Sequence, residues 1–150
     1  MLYIHESKNF TVEAREKPHI TRTDGGHVVI RPKREGIVDR QGLTAEEATE
    51  LMELTIVVGK AMAIALNKRG IDIGRINYQD MGNWSVFKAE GARLHIHLYG
   101  RAKSAKIQKY GDAMYLPQRE IGFYDNFEPL NNEDAKEIKR EIDSIIKDKK

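Results

Sequence analysis

The 150-residue sequence contains no cysteine, and this absence removes several kinds of functional site. Without thiols there is no disulfide framework, no thiolate metal centre and no cysteine nucleophile. A metal ion would therefore depend mainly on histidine, aspartate and glutamate ligands.

Long hydrophobic runs and a strong excess of one charge are also missing. The longest apolar candidate, residues 51–66, is interrupted by polar residues, and no segment approaches the roughly 18 residues of a membrane span. The N-terminal segment has no signal-peptide pattern, so we expect a cytoplasmic protein without membrane association. A net charge of +2 does not by itself indicate a nucleic-acid partner, and RNA stays open but is not indicated.

Length and periodicity predict one domain over residues 1–150, with a core at about residues 8–101. A long helix begins at a capping box formed by Thr44 and Glu47 and ends before Gly70, and a second helix spans about residues 131–148. Residues 101–126 read as a packed loop that could include one more strand. The predicted strands are residues 10–14, 27–31, 74–80, 84–88 and 92–99. Strands in runs, with separate helices, predict an α+β fold with a mostly antiparallel sheet.

Residues 93–101 contain the side chains that most clearly indicate a function. Alternate side chains of a strand share a face, so three leucine or isoleucine side chains at 94, 96 and 98 would face the core. The opposite face would then carry Arg93, His95, His97 and Tyr99. This combination suits phosphate chemistry, because a guanidinium binds phosphate oxygens and a neutral imidazole can attack phosphorus. A second histidine can donate a hydrogen bond to the developing charge.

Four segments between Phe10 and Arg101 together resemble the histidine-triad (HIT) family. Residues 26–33 (Gly-His-Val-Val-Ile-Arg-Pro-Lys) resemble its Gly-His strand, and residues 43–47 resemble the start of its long helix. Ile76-Asn77 resembles its strand with a substrate-contacting asparagine, and residues 94–98 (Leu-His-Ile-His-Leu) resemble the last two histidines of its signature. The first histidine of that signature is replaced by Arg93.

The resemblance implies a homodimer with a five-stranded antiparallel sheet in each subunit, two main helices and no cofactor. It implies a nucleotide hydrolase or nucleotidyltransferase that acts at phosphorus, with His95 as the nucleophile of a covalent nucleotidyl-histidine and His97 as a phosphate contact. The family's substrates are nucleoside phosphoramidates, dinucleoside polyphosphates and nucleotidylated sugars. The family's ribose-binding acid falls on His19. The candidate substrate-binding residues are Arg93, Asn77, His19, His27 and Tyr99.

Two other functions are compatible with the same residues. The missing first histidine, and the absence of the family's serine in residues 89–92, are compatible with a non-catalytic nucleotide- or RNA-binding module on the same scaffold. A metal-dependent enzyme would use His95 and His97 with His27, His19 or Glu90, although no third ligand stands at a recognised spacing. We expect no resident metal.

Several remaining residues are expected to be structural. His5 is predicted to lie at the surface and Trp84 in the core. The basic residues after the histidine strand are predicted to form a solvated edge; they are Arg101, Lys103, Lys106 and Lys109.

Overall fold

The computed structural model describes residues 2–149, in which one five-stranded sheet carries two helices. The strands are β1 (Leu2–Glu6), β2 (Phe10–Ala14), β3 (His27–Pro32), β4 (Ile73–Gln79) and β5 (Ile96–Ala102). The helices are α1 (Ala45–Lys68) and α2 (Asn132–Asp148). The strand order is β1-β2-β3-β5-β4, and every neighbouring pair is antiparallel. The predicted α+β class, with a five-stranded antiparallel sheet and two main helices, is confirmed.

The hydrophobic core lies between one face of the sheet and the helices. From the central strands it receives Val28 and Ile30 of β3 and Ile96 and Leu98 of β5, all buried. The helical side of this core includes Val58, Met62, Leu66, Ile138 and Ile142. Because side chains alternate along a strand, the residues between these apolar positions point to the other face of the sheet. That second face carries the histidines.

Helix α1 begins where the capping box was predicted. The Thr44 hydroxyl accepts from the Glu47 amide at 3.1 Å, and the Glu47 carboxylate accepts from the Thr44 amide at 2.9 Å. The Arg34 guanidinium donates to both Glu47 oxygens, and this ion pair, with the Thr44 amide, lowers the pKa of Glu47 to about 2. Gly70 follows the helix with a φ of 88°, in the left-handed region that favours glycine. Neither helix within residues 2–149 is long and apolar enough to cross a membrane.

Helix α2 is anchored at its first turn by the fully buried carboxylate of Asp134. Asp134 accepts from Arg22 Nε at 2.6 Å and from Arg69 Nε at 2.7 Å, and it also accepts from the Asn131 amide. Burial opposes its ionisation, but the two guanidinium groups outweigh that effect and lower the pKa of Asp134. One carboxylate thus joins α2 to the end of α1 and to the turn before β3.

Two strand predictions were wrong. Residues 84–88 form no strand; Asn83–Ser85 is a 3-10 turn, and Phe87 in the following turn is 99% exposed. A strand needs a partner edge and a face to bury, and this loop has neither. Its residues therefore do not form a strand despite their β propensity. The fifth strand is instead β1, which pairs with β2. Strand β5 begins at Ile96 rather than at residue 92, because the Leu94 amide donates to the Ile37 carbonyl outside the sheet.

The prediction that His5 lies at the surface was also wrong. His5 is only 9% exposed, because α2 packs against β1 and brings Lys139 to 3.4 Å from its Nδ1. The segment after β5 is irregular as expected, and its one 3-10 turn is Arg119–Ile121.

A tight backbone contact joins the turn before β3 to strand β5. A methyl group on Gly100 would overlap the carbonyl oxygen of Gly25, whereas one on Gly111 would meet no atom within 4 Å. We therefore expect Gly100→Ala to lower the free energy of unfolding by about 2 kcal/mol or more, as overpacking does. The matched Gly111→Ala should change it by less than about 0.5 kcal/mol. Urea unfolding of both variants measures this, and equal stabilities would show that the contact is not restrictive.

Candidate active site

Two imidazoles and one backbone amide form a hydrogen-bonded chain on the second face of the sheet. The register of β3 against β5 pairs His27 with Tyr99 and Val29 with His97, so His27 and His97 lie on one face as near neighbours. His27 Nε2 lies 2.8 Å from His97 Nδ1. The backbone amide of His19 donates to His27 Nδ1 at 3.1 Å.

The directions of these bonds assign a tautomer to each ring. A backbone amide can only donate, so His27 Nδ1 is the acceptor and the proton of His27 is on Nε2. That proton is donated to His97 Nδ1, which leaves the proton of His97 on Nε2. Burial is the main cause that lowers the pKa of His97 to about 2 and that of His19 to about 3, and burial also holds the pKa of His27 well below its usual range. All three rings are therefore neutral near neutral pH, and His97 presents an N–H donor.

His95 has the opposite tautomer. Its Nδ1 lies 2.8 Å from the carbonyl oxygen of Arg93, which can only accept, so Nδ1 carries the proton and Nε2 carries a lone pair. Burial lowers the pKa of His95, the bond to Arg93 partly opposes this, and the charges of Arg31 and Arg15 lower it again. The ring is packed edge-on against His97, with 4.6 Å between centroids. His95 is thus a neutral imidazole with an available nucleophilic nitrogen.

A cavity of about 370 Å³ opens over His95 and His97. It is bordered by the loop that carries Trp84 and by the exposed Glu90, which is the one carboxylate among the described residues that line it. The cationic side chains that line it are Arg15, Arg31, Lys88, Arg93 and Arg119. The cavity therefore favours an anionic ligand.

The structure brings together most of the predicted site residues. His95, His97, His19 and Arg93 line the cavity. His27 and Tyr99, 1% and 0% exposed, lie among these rings, where the Tyr99 hydroxyl is 2.8 Å from His19 Nδ1.

Asn77, another predicted site residue, does not line this cavity. Its Oδ1 accepts a hydrogen bond from Arg101, whose guanidinium also donates to the carbonyl oxygens of Lys109 and Asp112. Arg101 is only 5% exposed, so the prediction that it belongs to a solvated edge was wrong, whereas Lys103, Lys106 and Lys109 are exposed.

Three arginines of the cavity were not anticipated from the sequence. Arg31 follows His27 and Val29 at the two-residue period of β3, so this alternation predicts that Arg31 lies on the same face of the sheet. Arg15 directly follows β2, and its amide donates to the His27 carbonyl. Arg119 comes from the irregular segment after β5, for which the sequence offers no periodic signal.

The prediction that Trp84 lies in the core was wrong. Its side chain is 45% exposed at the cavity, with its ring centroid 5.8 Å from that of His19. The loop that holds it is a 3-10 turn outside the sheet, so its aromatic face is left for a ligand or for solvent.

The histidine cluster also offers a set of metal ligands. Nitrogen atoms of His19, His27 and His97 all lie within 4.8 Å of one another, a grouping without the His95 or Glu90 ligands considered from the sequence. Both nitrogens of His27 are engaged in hydrogen bonds, however, and the charges of Arg119 and Arg15 contribute to the lowered pKa of His19. A divalent cation would be repelled by these guanidinium groups, so the surroundings favour an anion.

Comparison with known proteins places this arrangement in a known fold. No family model and no curated protein matches the sequence. Solved structures do match. A histidine triad protein from Marinobacter aquaeolei aligns with a TM-score of 0.65 at 16% identity, over 97% of this chain and 88% of that one. The chain has the histidine-triad fold. The resemblance noted from the sequence is therefore confirmed at the level of the fold.

Two further structures support the same conclusion. A zinc-bound HIT family protein from Mycobacterium smegmatis aligns with a TM-score of 0.61 at 17% identity, over 97% of this chain and 86% of that one. A hypothetical histidine triad nucleotide-binding protein from Sulfolobus tokodaii aligns with a TM-score of 0.59 at 15% identity, over 95% and 84%. At these identities the likeness shows the HIT fold alone.

The hydrogen-bond chain predicts which nitrogen of each ring is protonated. In long-range ¹H–¹⁵N spectra near neutral pH, we expect His95 as the Nδ1–H tautomer and His97 as the Nε2–H tautomer. On acidification His95 should gain its second proton below the ordinary value of 6.5, and His97 at still lower pH, because burial disfavours the charged rings. A His97 with its proton on Nδ1 would contradict the chain, and His5, which lies outside it, serves as the internal reference.

Proposed function

We propose that this protein is a HIT-type nucleotide hydrolase or nucleotidyltransferase that acts at a phosphorus atom through a covalent nucleotidyl-histidine. The observation that supports this most strongly is the geometry of His95. Its Nδ1–H is held by the Arg93 carbonyl, and its lone pair is on the other nitrogen, in a cavity lined by cations. Nucleophile activation by a fixed tautomer is a general requirement of such catalysis.

In the proposed reaction, the lone pair of His95 Nε2 attacks phosphorus. A P–N bond forms while the bond from phosphorus to the leaving group breaks, and the leaving group departs with that electron pair. The His95 ring becomes positively charged, and its Nδ1–H bond to the Arg93 carbonyl stabilises that charge. His97 Nε2–H donates to a non-bridging oxygen, where negative charge develops.

Resolution of the intermediate requires a second nucleophile. Water attacks the same phosphorus, the P–N bond breaks with its electrons returning to His95 Nε2, and the proton of water passes to solvent. Hydrolysis then releases a nucleoside monophosphate, whereas a hydroxyl or phosphate acceptor in place of water gives transfer. The guanidinium groups of Arg31 and Arg119 are placed to hold the phosphate oxygens in both steps.

The arginine at the first position of the triad is compatible with this mechanism. The contact that orients His95 comes from the backbone carbonyl of residue 93, and a residue of any type at that position has this carbonyl. The Arg93 side chain is exposed at the rim of the cavity, where it can contact phosphate oxygens.

We further propose that two copies of the chain form a homodimer through α1 and β4. Strand β4 is an edge of the sheet, and an apolar groove of about 490 Å³ lies beside it. Met52, Ile56 and Tyr78 line this groove and are 61%, 44% and 50% exposed. Such a patch beside an open strand edge is typical of an association surface.

Replacement of His95 tests the reaction. Turnover of adenylylated or guanylylated substrates should fall by about a thousandfold or more in His95→Asn, while circular dichroism shows an unchanged fold. The native protein should show a nucleotidyl adduct by intact mass, and the variant should not. His5→Asn, at the histidine remote from the cavity, is the control and should keep its activity.

Other results of this experiment would change the assignment. Normal turnover in His95→Asn would exclude His95 as the nucleophile. Tight nucleotide binding by the native protein with neither adduct nor product would favour the non-catalytic binding module.

The dimer is tested by placing a charge in the groove. Ile56→Glu should convert a dimer to a monomer in analytical ultracentrifugation, because a carboxylate would be buried without a partner. Ile107→Glu makes the same change at a similarly exposed site elsewhere and should remain dimeric. A native protein that sediments as a monomer would contradict the proposal.

A further inference from the structure

The cavity over His95 is strongly cationic beyond what one phosphate requires. Five cationic side chains and one carboxylate line it. Arg15, Arg31 and Arg119 are half-buried. Burial is the main cause that lowers the pKa of Arg15, and the charges of Arg31 and Arg119 lower it further, so both of these guanidinium groups repel that of Arg15. Positive charges held this close are stabilised when several anionic groups bind together.

Two arginines of this cavity also border a second cavity, whose lining includes the carboxylates of Glu35 and Glu90. This second cavity of about 400 Å³ shares Arg31, Arg93 and Glu90 with the first. A chain of phosphate groups that starts at His95 can therefore pass Arg31 and Arg93 and remain in contact with cationic side chains. A single phosphate could reach only part of this surface.

Among the described residues that line the His95 cavity, no buried carboxylate is available to bind sugar hydroxyl groups. Recognition of a 2′,3′-diol needs strong acceptors, such as a carboxylate. Glu90 is exposed at the rim, and His19, at the position where the HIT resemblance puts a ribose-binding acid, has its Nδ1 occupied by the Tyr99 hydroxyl. With about 370 Å³, the cavity is near the lower end of small-molecule pockets, which suits a phosphate chain better than an enclosed nucleoside.

We propose that this site selects its substrate by the number of phosphate groups and does not distinguish ribose from 2′-deoxyribose. This inference rests on the proposed function, which locates the site, and it adds which part of the substrate the site recognises. Phosphate oxygens bind the guanidinium groups of Arg15, Arg31 and Arg119. The sugar lies where no hydrogen-bond acceptor contacts its 2′-hydroxyl. Trp84 at the rim offers an aromatic surface on which any base can stack.

Equilibrium binding tests the selection by phosphate number. Calorimetry of the native protein with inorganic phosphate, pyrophosphate and tripolyphosphate should show Kd falling by about tenfold with each added phosphate. Arg31→Gln and Arg119→Gln should flatten this series, and Arg140→Gln, the same change at a remote exposed arginine on α2, should not. Equal affinities for the three anions, or a series unchanged by the cavity variants, would overturn the proposal.

A paired comparison tests the indifference to the sugar. In His95→Asn, which binds without turnover, ATP and dATP should have Kd values within about twofold of each other. A preference of about tenfold or more for ATP would show that a 2′-hydroxyl receptor exists.

These results separate the inference from the reaction that it builds on. A flat phosphate series in a protein that forms the His95 adduct would overturn the selectivity and leave the reaction in place. A steep series with ATP and dATP equal, in a protein without adduct or product, would support the selectivity and refute the reaction.

Discussion

The hydrogen bond between His27 Nε2 and His97 Nδ1 is the interaction on which the candidate site depends. It requires two buried imidazoles on adjacent strands, and therefore one register of β3 against β5. A slip of β5 by one residue would turn His97 into the hydrophobic core and away from His27, because side chains alternate between faces. The register is secured next to the site, where Gly25 and Gly100 approach so closely that neither could carry a side chain.

Through the same hydrogen bond, the backbone geometry sets the tautomers of the rings at the site. The His19 amide fixes the tautomer of His27, and His27 fixes that of His97, so a backbone donor in the β2–β3 connection decides which proton faces the cavity. His95 is oriented independently, by the carbonyl of residue 93. Because a main-chain group performs this role, an arginine in place of a histidine at position 93 alters the rim of the site and leaves the orientation of His95 unchanged.

The parts of this site that were predicted from the sequence are those with a local, periodic signature. The capping box at Thr44, the alternation through β3 and the His-x-His spacing each follow from contacts within a few residues, and each is found in the structure. Arg119 reaches the cavity from an irregular segment that is held by long-range bonds, such as that of Arg119 to the Lys17 carbonyl. No periodicity encodes such a contact, and none indicates that Trp84 lies at the cavity.

Burial and positive charge act on the histidines of the site in the same direction. Both lower the pKa of His95 and of His97, and this keeps His95 unprotonated at Nε2 and His97 as a neutral donor. A bound phosphate chain would offset the charges of Arg15 and Arg31, which are among the causes of those low values. In the proposed reaction the transition state places positive charge on the His95 ring, so neutralisation of nearby guanidinium groups by the substrate would stabilise that ring when it becomes charged. The arginines would then have two effects. They would attract the substrate, and they would make the reactivity of His95 depend on whether the substrate is bound.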